Sequence, residues 1–219
     1  MENIKELIES RHSARQYLDK PIEEEKINIL EEEIASINKE SGLHIQLVKN
    51  EPKAFSNFKA HYGKFDGVKN YFALIGNDDN NLEEKCGYYG ERLVLKAQEI
   101  GLNTCWVAMT YKKIPSAYKI GKNEKLCIVI ALGYGVSSGH SHKIKTLEQV
   151  SNYNIDMPNW FKEGVLAALK APTAINQQKF YFTYENGNVT LKSKLGFFTK
   201  IDLGIVKYHF EIVSKKKVS

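Results

Sequence analysis

Cysteine is scarce and badly spaced for a scaffold: the three, at positions 86, 105 and 127, form no C-x-x-C pair, and an odd number closes no disulfide framework. A reducing compartment fits such usage, and the cytoplasm is the expected location. Long apolar runs are missing too. Stretches such as Leu126–Leu132 fall far short of the ~20 residues that span a bilayer, so no membrane helix is expected. The first residues, Met1–Ile8, lack a basic region followed by an apolar core and a small-residue cleavage site, which argues against secretion. The net charge of +5 is scattered and interrupted by acidic runs such as Glu23–Glu25 and Glu31–Glu33. A nucleic-acid groove needs clustered cations interleaved with stacking aromatics, so no nucleic-acid partner is expected. The run Lys215–Lys217 reads as a solvated tail.

What is present is a globular pattern: 219 residues, 42% hydrophobic and 26% charged, enough for one large or two small cores. Ile27, Leu30, Ile34 and Ile37 recur at helical steps after Pro21. Leu43, Ile45 and Leu47 alternate with His44, Gln46 and Val48 as in a strand with one buried face. Tyr71–Ile75, Cys105–Val107 and Leu126–Leu132 are further strand candidates. Leu82 to Ile100 reads as a long helix closed by Gly101. Trp160 to Ala171 is helical in pattern and Phe180 to Tyr184 extended. Asn186-Gly187 is a type I′ turn into Val189–Leu191. A last helix, Ile201 to Val213, carries Leu203, Val206, Phe210 and Val213 on one side. This order predicts an α+β fold, a mostly antiparallel central sheet flanked by helices. Helix, Asn, strand occurs around Asn38 and again around Asn176, and Gly90–Ile100 parallels Gly204–Val213 in spacing, an internal echo too faint to establish duplication.

Three polar elements carry chemistry. Arg11, Ser13 and Arg15 alternate, so an extended chain would point them one way, offering two guanidinium forks and a hydroxyl suited to an anion. Lys143 and Lys145 repeat the alternation. Ala171-Pro-Thr-Ala-Ile-Asn-Gln-Gln178 ends an apolar helix with proline and then presents a hydroxyl and three amides. Each has a plainer reading: a cluster capping the first helix, a solvated lysine face, and a helix-stop loop in which Asn176 satisfies backbone groups. Other features are decoys. Gly133–Gly139 looks like a dinucleotide loop, but no amphipathic helix opens after it. His140 and His142 lack a carboxylate or thiol companion for a metal. Cys105 reads as core.

Together with Gly101-Leu-Asn-Thr-Cys-Trp-Val107 and Leu132-Gly-Tyr-Gly135, these elements resemble, over nearly the whole chain and in the same order, the nitroreductase-like FMN-dependent superfamily. The likeness is greatest to the bacterial branch called putative TM nitroreductase, where the letters do not stand for transmembrane. The resemblance implies a single nitroreductase-like domain over 1–219 with pseudo-halves of about 1–150 and 151–219, either a monomer with pseudo-dimeric halves or a homodimer. It implies FMN as cofactor, with Arg11 and Ser13 at the phosphate, His12 packed nearby, and Arg15 at the pyrimidine edge as the catalytic residue. Lys143 and Lys145 would reach the phosphate, Lys64 the flavin edge, and Pro172, Thr173, Ala174, Asn176 and Gln178 would wall the ring and ribityl chain. Thr104, Val107 and Ala108 would pass near N5, although Ala108-Met109 stands where glycine is common. The implied activity is NAD(P)H-dependent reduction of a small acceptor such as a nitroaromatic or quinone. The alternative is an FMN-binding protein without significant turnover.

Overall fold

Ile27, Leu30, Ile34 and Ile37 are all buried along one side of helix α2 (Glu24–Ser41), as their spacing requires. This computed structural model describes residues 4–137 and 143–219. The described chain divides into two compact units, one drawn from Arg11–Leu82 and Leu93–His140, the other from Met1–Ser10, Glu83–Arg92 and Ser141–Ser219. The first is built on a sheet and the second mainly on helices.

The sheet unit contains α2, β1 (Gln46–Val48), the short α3 (Phe58–Tyr62), β2 (Asn70–Asn77), the second half of α4 (Leu82–Glu99), β3 (Asn103–Val107) and β4 (Glu124–Gly133). Its four strands run in the order β1-β2-β4-β3, and each neighbouring pair is antiparallel. The two inner strands are apolar on both faces. Tyr71, Ala73, Ile75, Val129 and Ala131 join one core with Phe55, Phe65, Cys105, Val107 and Tyr111, while Phe72, Leu74, Ile128 and Ile130 are buried as well. A strand covered on both faces reads as a continuous apolar run, which is why Tyr71–Ile75 and Leu126–Leu132 were legible. The expected alternation over 43–48 holds only in part. Leu43 and Ile45 are buried, but Val48 is buried where Leu47 was expected, because β1 turns Val48 toward the core that contains Tyr71. Asn38 joins α2 to this strand: its amide donates to Ile45 O at 2.9 Å and accepts from Ile45 N–H at 2.8 Å.

In the helical unit, α1 (Ile4–Ser10), the first half of α4, α5 (Leu147–Val150), α6 (Asn159–Lys170) and α7 (Thr199–Ser214) accompany a hairpin of β5 (Phe180–Glu185) and β6 (Asn188–Ser193). Asn186 and Gly187 have φ of 51° and 83°, the left-handed pair a type I′ turn demands. The hairpin is a separate two-stranded sheet. Phe182 stacks on Phe210 at 4.8 Å, so the hairpin seals against α7. Helix α7 departs from its expected stripe. Leu203 and Val213 are half-buried, and the buried set includes Ile201, Ile205, Val206 and Phe210 together with Asp202, His209 and Glu211. Neighbours surround this helix, and its polar residues are inside because each meets a partner there. Glu211, for example, accepts from Tyr88 Oη at 2.9 Å, Lys217 Nζ at 2.6 Å and Val218 N–H at 3.0 Å.

Candidate functional site

In the sheet unit the row Arg11–Arg15 belongs to an extended segment pinned from both sides. Ser13 bridges Thr104 in parallel, and Ala14 N–H donates to Thr104 O at 3.0 Å. Asp66 N–H donates to Arg15 O and Tyr17 N–H to Asp66 O, both at 3.0 Å, while Leu18 N–H reaches Tyr134 O at 2.8 Å. The Tyr17 hydroxyl donates back to Ala14 O at 2.8 Å. Gly67 makes the close approach possible: its φ is +71°, and a Cβ there would lie 2.2 Å from Tyr17 O. Any other residue would push the segment off its support.

With the backbone fixed, the side chains sort by position. Ser13 and Arg15 are exposed, Arg11 is buried and His12 is half-buried, its Nε2 donating to Ser137 O at 2.9 Å. Cys105 is buried as expected. Burial pushes its thiol up, and the nearby Arg15 and Arg11 guanidiniums and a hydrogen bond with Ser13 oppose that. Both guanidiniums and the serine hydroxyl therefore act on this thiol, Arg11 from a buried position and Ser13 and Arg15 from exposed ones. Arg15 has no ion-pair partner among the described residues, which leaves its charge available to an anionic ligand. Thr104 and Val107 are buried and Ala108 half-buried, so Thr104 meets the Arg row through its carbonyl. Lys64 is exposed two residues past α3 with φ 60°, and its N–H donates to His61 O at 2.9 Å.

The helical unit carries the other set. Pro172, Thr173, Ala174, Asn176 and Gln178 lie on the turn between α6 and β5. Ile175, Asn176 and Gln178 have φ of 47°, 56° and 46°, three left-handed non-glycine residues within four positions. For β-branched Ile175 this is a true outlier, and such strain costs about 1–3 kcal/mol per residue. Hydrogen bonds to residues distant in sequence hold the turn. Gln178 Nε2 donates to Lys143 O at 2.8 Å and to Asn176 Oδ1 at 2.9 Å, and its Oε1 accepts from Lys145 N–H at 2.9 Å. Asn176 Nδ2 donates to Lys143 O at 2.9 Å. The amides are thus engaged in fixing the 143–145 backbone. Lys145 Nζ donates to Gln177 O at 2.9 Å and Gln178 O at 2.7 Å, and burial followed by repulsion from Lys194 and Lys179 depresses its pKa. Lys143 is exposed. Of the lysine pair, one ties down the turn and the other faces outward. His140 and His142, and the end of the Gly133–Gly139 stretch, lie outside the described residues.

Sequence reading missed Asp202, which anchors the same turn from α7. Its carboxylate accepts from Ala174 N–H at 3.0 Å and Gln177 Nε2 at 2.7 Å. An aspartate in the first turn of a helix reads as an ordinary terminal acid, and nothing local ties it to residues 174–177. Burial pushes its pKa from 3.8 up to about 6, with the two hydrogen bonds opposing. A raised carboxyl pKa stabilises the folded chain most in acid, and that contribution is lost as pH rises through about 6. The stability difference between wild type and Asp202→Asn, from urea melts, should therefore fall by roughly 2 kcal/mol between about pH 4.5 and 7.5. A pH-independent difference would contradict the burial of this carboxyl.

An antiparallel sheet with flanking helices belongs to the nitroreductase-like α+β class. The solved structure of a protein described as a putative nitroreductase from Thermotoga maritima matches with a TM-score of 0.69 at 22% identity, over 98% of this chain and 87% of that one. A nitroreductase family protein from Streptococcus pneumoniae matches with a TM-score of 0.56 at 13% identity, over 69% of this chain and 100% of that one. A putative nitroreductase from Exiguobacterium sibiricum, solved in complex with FMN, matches with a TM-score of 0.55 at 16% identity, over 70% and 98%. No curated protein matches the chain significantly. The family model described as Putative TM nitroreductase matches residues 3–214, and the chain belongs to that family.

Proposed function

We propose that this protein is an FMN-dependent oxidoreductase that takes electrons from NAD(P)H and passes them to a small acceptor such as a nitroaromatic or quinone. The carrying observation is the pinned row in which Ser13 and Arg15 are exposed and Arg11 is buried. The donor set fits FMN: guanidiniums and a hydroxyl match a phosphate or the anionic edge of a reduced flavin, and they are charge-assisted donors. When bound, the flavin supplies hydride acceptance at N5 and its onward transfer. In this reading Arg11 and Ser13 hold the phosphate with His12 packed nearby, and Arg15 holds the pyrimidine edge as preorganised electrostatic stabilisation. Lys64 is assigned to the flavin edge and Thr104, Val107 and Ala108 to the N5 side. Lys143 supplies a further phosphate cation. Pro172, Thr173 and Ala174 offer a backbone surface that Asn176, Gln178, Lys145 and Asp202 keep in shape.

The absorbance spectrum of the purified protein tests the reading. A flavin band is expected, with FMN and not FAD released on denaturation. No band and no uptake of added FMN would overturn it, and FMN binding without NAD(P)H oxidation would favour the reading without turnover. Lys143→Ala is expected to weaken FMN binding about tenfold, or ~1.4 kcal/mol, without moving Tm; unchanged affinity in a titration would mark Lys143 as solvated surface. Arg15→Met deletes a charge that favours the reduced, anionic cofactor. Loss of one contact of about 1.5–3 kcal/mol should lower the two-electron midpoint potential by on the order of 30–65 mV. Equal potentials at full FMN occupancy, in a dye-coupled reductive titration, would remove Arg15 from the flavin edge.

A further inference from the structure

Within the sheet unit a cleft of about 750 Å³ opens between the 57–58 and 108–113 segments, a size typical of small-molecule sites. Its apolar wall consists of Phe58, Ala108, Met109 and Tyr111. Phe58 is 84% exposed and Met109 71%. Large apolar side chains held this far out of the core offer area to a ligand. The floor is rigid. Tyr111 is buried and stacked on Phe55 at 6.2 Å, and Phe55 packs against Phe65 at 5.4 Å and Tyr71 at 5.9 Å. Both walls are fastened to one carbonyl, since Lys112 N–H and Asn57 Nδ2 each donate to Ala54 O at 2.8 Å.

The polar rim is one-sided. Lys112 and Lys113 line the cleft together with Asn57, and no acidic residue lines it among the described residues. Both lysines are exposed. Two uncompensated ammonium groups beside an aromatic surface match a planar ring that carries a negative charge. A neutral ring would gain only the stacking, and an aliphatic anion only the charge.

We infer that this cleft binds a small aromatic carboxylate in preference to its uncharged counterpart. That such a ligand is the electron acceptor rests on the FMN reading above. The binding itself does not. Calorimetric titration of 4-nitrobenzoate and the near-isosteric 4-nitrobenzamide into the purified protein tests it. The carboxylate is expected to bind about tenfold more tightly. The double variant Lys112→Ala, Lys113→Ala should erase that preference by weakening only the carboxylate, whereas Phe58→Ala should weaken both ligands alike. Equal affinity of the two compounds, binding of neither, or a preference that survives loss of both lysines would overturn the inference. The absorbance spectrum separates the two ideas. A carboxylate preference in a protein that takes up no FMN would leave the cleft assigned and the oxidoreductase reading wrong, and full FMN occupancy with no preference would do the reverse.

Discussion

Replacing His209 by leucine is expected to lower the stability of the folded chain by roughly 3–5 kcal/mol, the range for breaking a buried ionisable pair from one side. His209 and Glu91 have fully buried side chains with Nε2 2.8 Å from Glu91 Oε1, and Nδ1 lies 3.1 Å from Ala167 O. A carbonyl only accepts, so Nδ1 carries a proton, and one further proton is held between Nε2 and the carboxyl. Leucine fills the volume but leaves the carboxyl buried without the imidazole. Glu91→Gln is expected to cost much less, because its amide can donate to an unprotonated Nε2. The double variant His209→Leu, Glu91→Leu should recover much of the loss, since apolar groups of similar volume often replace a buried pair at little cost. Urea denaturation of the three variants measures this. A loss below about 1 kcal/mol for His209→Leu would show that the pair lies in a wetter environment than described.

Gly204→Ala should cost about 3 kcal/mol, although the same exchange in an exposed helix gains roughly 1 kcal/mol. The reversal has a geometric cause. A Cβ at Gly204 would lie 2.0 Å from Glu84 O and 2.5 Å from Tyr88 N, and one at Gly87 would lie 2.1 Å from Ile201 O. Helices α4 and α7 thus touch backbone to backbone, and no side chain can rotate to relieve the overlap. The estimate takes the upper part of the usual overpacking range for that reason. A thermal melt that leaves Gly204→Ala as stable as wild type would show that the two helices can separate without loss.

Local features were legible and long-range ones were not. The stripe of α2, the apolar runs of β2 and β4, the turn at Asn186-Gly187 and the helix end at Gly101, whose φ is +76°, each depend on residues a few positions apart. The alternating arginine row was legible for the same reason, and with the other motifs it pointed to the family. The pairing of His209 with Glu91 crosses 118 positions, and periodicity assigns such polar residues to a solvent face. Asn176 and Gln178 were expected to offer free amides. They hold Lys143 and Lys145 instead, through contacts 33 to 35 positions distant. The cleft beside Ala108 and Met109 could not be anticipated either, since it depends on bringing Asn57 and Phe58 to residues about fifty positions later.

The division of the chain has a consequence for its birth on the ribosome. Arg11–Leu82 and Leu93–His140 complete the sheet unit by residue 140, whereas Ile4–Ser10 and Glu83–Arg92 belong with Ser141–Ser219. Translation at about 5–20 residues per second delivers that last stretch on the order of 4–16 s later. Strands β1 to β4 can pair during this interval. Leu7 and Ile8 of α1 and Gly87 of α4 emerge early but meet α6 and α7 only afterwards. Segments kept waiting with an apolar face uncovered are the ones a nascent-chain chaperone would hold.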